Sequence, residues 1–501
     1  MVGAANPARA AWLQAASPHF VIYGDADEAG IRRVADELER YHAALAVLTG
    51  YREPTAPSPS RRVTVYLLAS EGAVRRLHGA DSRDLGAFYQ SRAGGSVAFV
   101  PRPSAGVGLA MIALLHEYAH HFMSFSGGED LPLWYAEGSA EFYASASFAP
   151  DGGVVLGRFA SHRSGELAMA RDVKLADLLD EAAYRRNRAK SYDAFYGKAW
   201  LLVHYLTFTP ERRGQLQTYL ALLRRRESPL AAARDAFGDL GRLQLDLDRY
   251  RGRARANSLP IPASRLAPAP ISVRRLTAGE AAAMAVVVRT RRGVTRQEAP
   301  AVAAEARAIA QRFPADAAVQ AELAEAEYDA GNDAATEAAA ARAIAADPDD
   351  VDAYLQQGYA LFRKARTSGH AADFARASVP FTAVQRQDPA HPLPLAYRYL
   401  GFAWQSASPP PEALAGLVRA VALAPYDLRL RVMLGIARIK AGQRDSARDT
   451  LAAVAGDPHG GLAAETAKAW LDKLSIEPDW RGAELPADPE DLPGGNGQGA
   501  N

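Results

Sequence analysis

The sequence predicts a chain of two unlike parts, an α+β domain followed by an all-α solenoid of helical repeats. Three observations lead to this fold class. Apolar residues alternate between the spacing of strands and that of helices over residues 19–100. A proline-rich segment without periodicity, 254–276, follows as a linker. After it, prolines recur at intervals close to those of helical repeats.

The first elements predict a small sheet with one long helix. Residues 19–23, 62–69 and 95–100 are rich in β-branched and aromatic side chains, which favour strands. Residues 27–48 carry apolar side chains with the spacing of a helix. With 501 residues and 49% hydrophobic content, the chain exceeds one ordinary core, so two or three domains are expected.

A helix predicted over 108–124 carries the most informative motif, which begins at His116 and ends at His120. Residues four apart lie on one face of a helix, so these two histidines can direct their ring nitrogens at one point. The surrounding apolar residues indicate a helix that packs on most of its surface. Two histidines alone leave a zinc ion short of a ligand, so a third ligand must come from elsewhere.

A second helix, predicted to begin near Pro132, supplies carboxylates. Glu137 follows His120 by 17 positions (137 minus 120) and is the candidate third ligand. Glu141 lies on the same helical face. Metal-bound histidines usually donate their other ring hydrogen to a carboxylate, so Glu141 is the expected partner of His116.

The segments HEYAHHF and LPLWYAEGSAEFY resemble the gluzincin zinc peptidases, and within them the bacterial peptidase-MA-like group. That group carries the pattern W-x-x-E-G-x-A-E, which is matched at Trp134, Glu137, Gly138, Ala140 and Glu141. The resemblance covers about residues 10–260. It implies a gluzincin-type α+β fold, with a small N-terminal sheet and helical active-site and C-terminal parts, and one Zn²⁺ per chain. The implied zinc ligands are His116, His120 and Glu137.

Glu117 is the candidate general base and acid. It lies next to a metal-ligating histidine, where a carboxylate can take a proton from the attacking water and pass it to the leaving amine. In folds of the gluzincin kind the last strand before this helix borders the cleft, so strand 95–100 is expected to pair with extended substrate. Loops at 151–153 and 162–165 are expected near the same cleft.

A further match, Tyr196-Gly197-Lys198-Ala199, resembles the Tyr-x-Lys-Gly element of the aminopeptidase-like gluzincins. The tyrosine of that element stabilises the oxyanion, so Tyr196 is the candidate donor to the tetrahedral intermediate. The fourth position is Ala199 where the family has glycine, and Tyr192 lies close enough to be a rival. The Gly-x-Met-Glu-Asn motif of those aminopeptidases is missing, which argues against a dedicated aminopeptidase.

Each candidate also has a structural interpretation. The two histidines of the motif could be a surface-facing pair, and the two glutamates could be exposed charges or salt-bridge partners. Tyr196 could be a core aromatic residue. His121 and His204 are interpreted as hydrogen-bonded packing residues. The remaining histidines show no ligand spacing and are given no role: His19, His42, His78, His162, His370, His391 and His459.

The second part of the chain has a proline after each of several apolar helices. The intervals between these prolines are 34, 41, 36 and 33 positions, which are typical of repeated helix pairs. They are Pro314, Pro348, Pro389, Pro425 and Pro458. Small and aromatic residues between them resemble a tetratricopeptide array over 277–480, with an insertion near 367–372. The tail, 481–501, is rich in Gly, Pro and Asp and is predicted to be disordered.

Stacked helix pairs form a curved surface that commonly holds a peptide or protein segment, so a protein partner is expected there. A stabilising appendage is the alternative. Lys plus Arg number 58 against 57 for Asp plus Glu, a net charge of +1, so no nucleic-acid partner is expected. The chain has no cysteine, so disulfides and thiolate metal sites are excluded.

No apolar stretch is long enough for a transmembrane segment, and the N-terminus lacks the pattern of a signal peptide. The compartment is left open between the cytoplasm and, because related sequences are often exported, the bacterial periplasm or exterior.

Together these observations predict a zinc-dependent metallopeptidase, with a helical repeat domain that binds a protein or peptide. One alternative is a catalytically inactive peptidase fold that acts as a scaffold or adaptor through its repeats. Another is a zinc hydrolase that cleaves a non-peptide amide.

Overall fold

The computed structural model describes residues 12–53, 58–79, 86–103, 107–126, 131–187, 192–252, 257–405, 409–457 and 459–492. The protein is of mixed α/β type, with a small sheet in its N-terminal part and a mostly helical remainder, in agreement with the general kind of fold predicted. Among the described residues, no helix is both long and apolar enough to cross a membrane. Residues 1–11, Pro458 and residues 493–501, which some of the predictions include, lie outside this description.

Within the described residues, nine strands form a six-stranded and a three-stranded sheet. In chain order they are Leu13–Ala16 (β1), Phe20–Gly24 (β2), Val63–Leu68 (β3), Phe88–Gln90 (β4), Val97–Pro101 (β5), Ser147–Phe148 (β6), Val154–Leu156 (β7), Leu259–Ile261 (β8) and Ser272–Arg275 (β9). The larger sheet has the order β4-β5-β3-β2-β1-β9, and the smaller has the order β6-β7-β8. The three predicted strands are confirmed as β2, β3 and β5, which are parallel to one another.

The prediction that strand 95–100 offers its backbone to substrate is wrong. β5 lies between β3 and β4, and β4 pairs with it antiparallel along residues 97–99. Gly94 and Gly95 adopt φ angles of 85° and 143°, which let the chain return tightly enough to form this pair. The backbone groups of β5 are therefore used within the sheet.

The N-terminal region, defined here as residues 12–252, contains eleven α-helices in the part that the structure describes. They are Glu28–Thr49 (α1), Glu71–His78 (α2), Leu109–Phe125 (α3), Leu133–Ala144 (α4), Ser164–Met169 (α5), Leu175–Leu179 (α6), Glu181–Asn187 (α7), Phe195–Phe208 (α8), Gln215–Arg224 (α9), Pro229–Phe237 (α10) and Leu240–Tyr250 (α11). The predicted helices over 27–48 and 108–124 are confirmed as α1 and α3. Residues 162–165 were expected to be a loop but belong to a 3-10 helix and to α5, which is a correction.

Helices α3, α4 and α8 pack in sequence away from the larger sheet. α3 contacts β4 and β5 on one side and α4 on the other, and α4 in turn contacts α8. A Cβ atom at Gly138 on α4 would lie 2.5 Å from the Ala199 carbonyl oxygen on α8, so only glycine permits this approach. The close packing fixes α4, and with it the carboxylates on α4, against α3.

The helical region, defined here as residues 278–476, contains eleven further helices among its described residues. They are Ala278–Arg292 (α12), Ala299–Arg312 (α13), Ala317–Asp329 (α14), Asp333–Ala346 (α15), Val351–Ser368 (α16), Ala371–Gln387 (α17), Pro392–Ala403 (α18), Pro411–Leu423 (α19), Leu428–Lys440 (α20), Arg444–Ala455 (α21) and Gly461–Ile476 (α22). Each helix packs against the next, and α14 also contacts α12 and α16. Such successive pairing is the geometry of a helical solenoid.

Four of the recurring prolines lie in the turns that precede α14, α16, α18 and α20, and the fifth, Pro458, lies outside the described residues. Each proline comes two positions before the N-cap residue of the following helix, for example Pro314 before Asp316 and Pro425 before Asp427. Both aspartates accept a hydrogen bond from a backbone N–H in the first turn of the helix. The repeating proline therefore ends one helix pair and positions the cap of the next.

Three segments of the sequence prediction are refined or corrected. The insertion expected near 367–372 takes the form of longer helices, because α16 and α17 run to 18 and 17 residues with a short turn between them. Residues 257–276 of the predicted linker are not free, because β8 pairs with β7 and β9 pairs with β1. Both are edge strands, where proline is tolerated.

The third difference concerns the tail. Residues 481–492 are ordered rather than disordered as predicted for 481–501, since Leu485 is buried and Asp488 forms an ion pair with Arg429 at 2.8 Å. The ion pair between Asp488 and Arg429 is a charge-assisted hydrogen bond, and the Gly/Pro-rich composition of the tail gives no sign of it.

The helical region folds back onto the N-terminal region. The Ser58 hydroxyl donates to Asp388 at 2.6 Å, and the ring of Tyr426 lies 4.3 Å from that of His121. Ala93 and Phe125 of the N-terminal region pack in the core of the helical region. The solenoid therefore binds a surface of its own chain.

Candidate metal centre

Helices α3 and α4 bring the three predicted metal ligands together. His116 Nε2 and His120 Nε2 lie 3.2 Å apart on α3. Glu137 Oε2 on α4 lies 3.2 Å from His116 Nε2 and 3.5 Å from His120 Nε2. The spacing of four along α3, and the packing of α3 on α4, direct the three side chains at one point.

A fourth side chain, His459, reaches this group from the helical region. It lies in the turn between α21 and α22, and its Nε2 atom is 3.5 Å from Glu137 Oε1. The ring centroids of His459 and His120 are 5.3 Å apart, with an interplanar angle of 80°. Each of the four residues offers one ligand atom within 4.8 Å of the others. His116, His120, Glu137 and His459 form the candidate metal centre.

The donor set fits a metal ion. Both carboxylate oxygens of Glu137 are buried and take part in no hydrogen bond with the residues that the structure describes. A buried carboxylate is costly unless a cation offsets its charge. Tetrahedral ligands about 2 Å from a zinc ion lie roughly 3.3 Å apart, which is close to the 3.2–3.5 Å measured here. Imidazole and carboxylate donors suit zinc.

Glu141 lies behind His116, on the side away from the metal centre. Its Oε1 atom is 3.2 Å from His116 Nδ1. Its Oε2 atom contacts His162 Nε2 at 2.6 Å, and the Arg163 guanidinium donates to Oε1. Glu141 is only 1% exposed, so these cationic and ring partners stabilise its charge where water cannot. This arrangement fixes the orientation of the His116 ring.

The pKa values in this group follow from burial and charge. Burial alone would lower the pKa of His116, but its contacts with Glu137 and Glu141 raise it well above its usual value. Burial would raise the pKa of Glu137, but the adjacent His120 and His116 lower it well below its usual value. The pKa of Glu141 is lowered in the same way, mainly by His116 and His162. The two carboxylates are therefore held in their anionic form beside the ring nitrogens.

Glu117 follows His116 on α3 and is partly exposed, whereas His116 is buried. Burial is the main cause that raises the pKa of Tyr89 on β4, and the charge of Glu117 adds to it. The Glu117 carboxylate is thus carried by the same helix as two of the ligands and retains access to water.

Tyr196, the predicted oxyanion donor, lies on α8 within electrostatic range of Glu137. Burial, followed by the charge of Glu137, raises the pKa of its phenol well above the usual value. The guanidinium of Arg163 lies 4.8 Å from the centroid of its ring. The rival Tyr192 is 68% exposed and lies outside this contact. Of the two tyrosines, Tyr196 is the one whose ring packs against Arg163.

A chain of polar contacts joins Tyr196 to Glu141. Arg163 contacts both Glu141 and Glu166, the latter at 3.3 Å, and the backbone N–H of Gly197 donates to Glu166 Oε1 at 2.7 Å. The neighbouring Lys198 is buried and binds Asp172 at 2.7 Å. The start of α8 is therefore held by charges that also hold α4.

The other histidines of this region have structural partners. His121 Nδ1 contacts the Tyr89 hydroxyl at 2.8 Å, and His204 Nδ1 contacts the Tyr250 hydroxyl at 2.9 Å, in agreement with the packing role expected for both. His19 lies between Glu39 at 2.7 Å and Glu53 at 3.3 Å. Although burial opposes the shift, these carboxylates raise the pKa of His19 to about 9. His19, His42 and Glu53 form a second group with metal-ligand spacing, in which His19 is held between two carboxylates.

Sequence reasoning missed three residues of the site: His162, Arg163 and His459. The first two follow Glu141 by 21 and 22 positions on a different element, so no helical periodicity links them to it. His459 comes 322 positions after Glu137 (459 minus 137). The one feature of the sequence that points to His459 is its position directly after Pro458, the fifth of the recurring prolines.

Comparison with known proteins adds no relative: no model of a protein family matches the chain, and no curated protein matches it.

Proposed function

We propose that the chain is a zinc-dependent metallopeptidase of the gluzincin type, joined to a tetratricopeptide-like repeat domain. The observation that carries this proposal is the convergence of His116, His120 and Glu137 on one point, 3.2–3.5 Å from one another. The carboxylate of Glu117 on the same helix, and Glu141 behind His116, supply the remaining groups that such an enzyme needs.

In this proposal His116, His120 and Glu137 hold one Zn²⁺, which when bound supplies a Lewis acid for a peptide carbonyl and lowers the pKa of water. Glu117 accepts a proton from the attacking water and returns it to the leaving nitrogen. Its partial exposure supports this role, because a carboxylate that exchanges protons must reach water.

Glu141 and Tyr196 support the reaction from the side of the protein. Glu141 holds the tautomer and orientation of His116 through Nδ1. Tyr196 donates its hydroxyl hydrogen to the oxyanion that develops on the substrate. Its raised pKa keeps that hydrogen in place at neutral pH.

The repeat domain acts in this proposal by binding protein surface. The successive helix pairs and the residues at their close contacts support a tetratricopeptide-like fold. A Cβ atom at Gly358 would lie 2.5 Å from the ring of Phe381, and one at Gly435 would lie 2.6 Å from the Leu451 side chain. Small residues recur at these positions because paired helices approach closely there. Binding of the N-terminal region by the solenoid is one use of this capacity.

A second candidate function is a zinc-stabilised scaffold without catalysis, and His459 favours it. Structural zinc sites are closed by four protein ligands, whereas catalytic sites keep one position open. In the scaffold, the four ligands would join the N-terminal region to the helical region.

The substitution Glu117→Gln separates the two proposals. For the peptidase we expect hydrolysis of labelled casein to fall by at least about 10²-fold, because the general base is removed. Zinc content, measured by plasma mass spectrometry, should stay at about one ion per chain, because no ligand is changed. The matched control is Glu28→Gln, on an exposed position of α1, which should change neither quantity.

Full residual hydrolysis in Glu117→Gln would contradict the mechanism. A wild-type protein that holds zinc but cleaves nothing in a broad peptide and protein panel would favour the scaffold.

A further inference from the structure

The turn that carries His459 is one of a row of equivalent turns. In each repeat the residue after the proline occupies the same place: Tyr426 before α20 corresponds to His459 before α22. Tyr426 packs on the N-terminal region, with its ring 4.3 Å from that of His121. His120, the neighbour of His121 on α3, is in ring contact with His459. Two successive turns of the solenoid, those of Tyr426 and His459, therefore contact neighbouring residues of α3.

The local backbone presents His459 to the metal centre. The carboxylate of Asp457 accepts a hydrogen bond from the His459 backbone N–H at 2.9 Å, and its carbonyl accepts one from Gly460 at 3.3 Å. Such an Asx turn fixes the backbone on both sides of the histidine. Gly461 then adopts a φ of 47°, which lets α22 begin at once.

His459 approaches Glu137 from a different side than the two histidines of α3. His116 and His120 lie against Oε2, whereas His459 Nε2 lies 3.5 Å from Oε1. Its side chain is 44% exposed, compared with 10% for His116 and 1% for Glu137. It thus lies on the solvent side of the group, where a catalytic site keeps its open position for water or substrate.

Two ion pairs between the N-terminal region and helices α21 and α22 are weak enough to break. Asp449 on α21 pairs with Arg226 at 2.5 Å, and Lys468 on α22 pairs with Glu181 at 3.3 Å. Both members of the first pair are more than 60% exposed, and exposed ion pairs contribute little to stability. The anchoring is weak compared with the packing of Tyr426 against α3.

We propose that His459, from the helical region of the same chain, is a fourth metal ligand, and that the chain rests in this closed, latent state. The inference rests on the proposed peptidase function and deepens it. Hydrolysis then requires the α21–α22 turn to leave the metal centre. A protein or peptide that competes for α21 and α22 activates the enzyme by shifting this equilibrium.

The test compares the full-length wild type with His459→Ala. Both are loaded with zinc and studied by X-ray absorption at the zinc edge, which counts imidazole ligands. We expect three imidazoles in the wild type and two in the variant, with zinc still bound. The control His370→Ala, at an exposed histidine of the same region, should keep three.

The same proteins are assayed with labelled casein. Removing the His459 side chain should raise kcat/KM on the order of tenfold. The factor is set by the small fraction of wild-type molecules in which His459 has left the metal centre. The variant Asp449→Lys, which reverses one partner of an anchoring pair but leaves every ligand in place, should shift both readouts in the same direction, to a smaller extent.

Two results overturn the inference. Two imidazoles in both the wild type and His459→Ala would show that His459 is not a ligand, while the proposed three-ligand site would stand. Loss of zinc together with no hydrolysis in His459→Ala would show a structural four-ligand site rather than a latch. Failure of the proposed function itself would differ from both, because either the wild type would bind no zinc, or His459→Ala would keep its zinc with two imidazole ligands and still hydrolyse nothing.

Discussion

Replacing Glu141 with alanine tests how a buried carboxylate maintains the metal centre. Glu141 is 1% exposed and contacts His116, His162 and Arg163. Removing one partner of a buried ion pair costs about 3–5 kcal/mol, because the remaining charge stays buried. Arg163 keeps a second carboxylate, Glu166, at 3.3 Å. We therefore expect the lower end of that range, about 3 kcal/mol of local stability.

The same substitution should weaken zinc binding. His116 loses the acceptor that orients its ring, and loss of such a partner typically lowers metal affinity about 10- to 100-fold. This corresponds to about 1.4–2.7 kcal/mol of binding free energy. Glu141→Gln should lose less of both, because an amide keeps the volume and one acceptor oxygen.

Two assays measure these quantities separately. Hydrogen exchange of the amides of α3 and α4 in zinc-free protein reports the local unfolding free energy, and competition with a chelator of known affinity reports zinc binding. Glu28→Ala, at a position of α1 where the side chain is 67% exposed, is the control and should change stability by less than about 0.5 kcal/mol. A loss below about 1 kcal/mol in Glu141→Ala, together with unchanged zinc affinity, would refute the reasoning.

Two further substitutions test the packing and the oxyanion donor. Gly138→Ala places a Cβ atom 2.5 Å from a carbonyl oxygen of α8, which cannot move freely, so a loss of about 1–3 kcal/mol is expected by thermal unfolding. Gly72→Ala on α2 meets nothing closer than 3.4 Å and should be neutral or stabilising; equal losses in both would contradict the packing argument. Tyr196→Phe should lower kcat about 10²-fold or more with KM little changed, while Tyr192→Phe should not. The reverse order of effects would transfer the role to Tyr192.

Local regularities carried most of what the sequence could predict. The spacing of His116 and His120 is set by one turn of helix, and Glu137 and Glu141 follow from the same periodicity on the next helix. Proximity between α3 and α4 needed the resemblance as well, because periodicity says which face residues share but not which helices pack. The strands β2, β3 and β5 could be predicted because short runs of β-branched residues favour strands.

The parts that sequence reasoning missed depend on contacts between distant segments. β4 is three residues long, too short to show alternation, and yet it covers the edge of β5. The segment 254–276 looked like a linker because prolines interrupt it, but prolines are compatible with edge strands. His459 could not be assigned because its approach to Glu137 is decided by the register of the solenoid against α3.

The most direct test of the central claim is the metal content of the purified protein beside Glu137→Ala, by plasma mass spectrometry after dialysis without chelator. The account predicts about one zinc per wild-type chain, and loss or strong weakening of binding in the variant, because Glu137 contacts all three histidines of the metal centre. A wild-type protein that holds no zinc even after zinc is added, or a variant that binds it as tightly, would contradict the account.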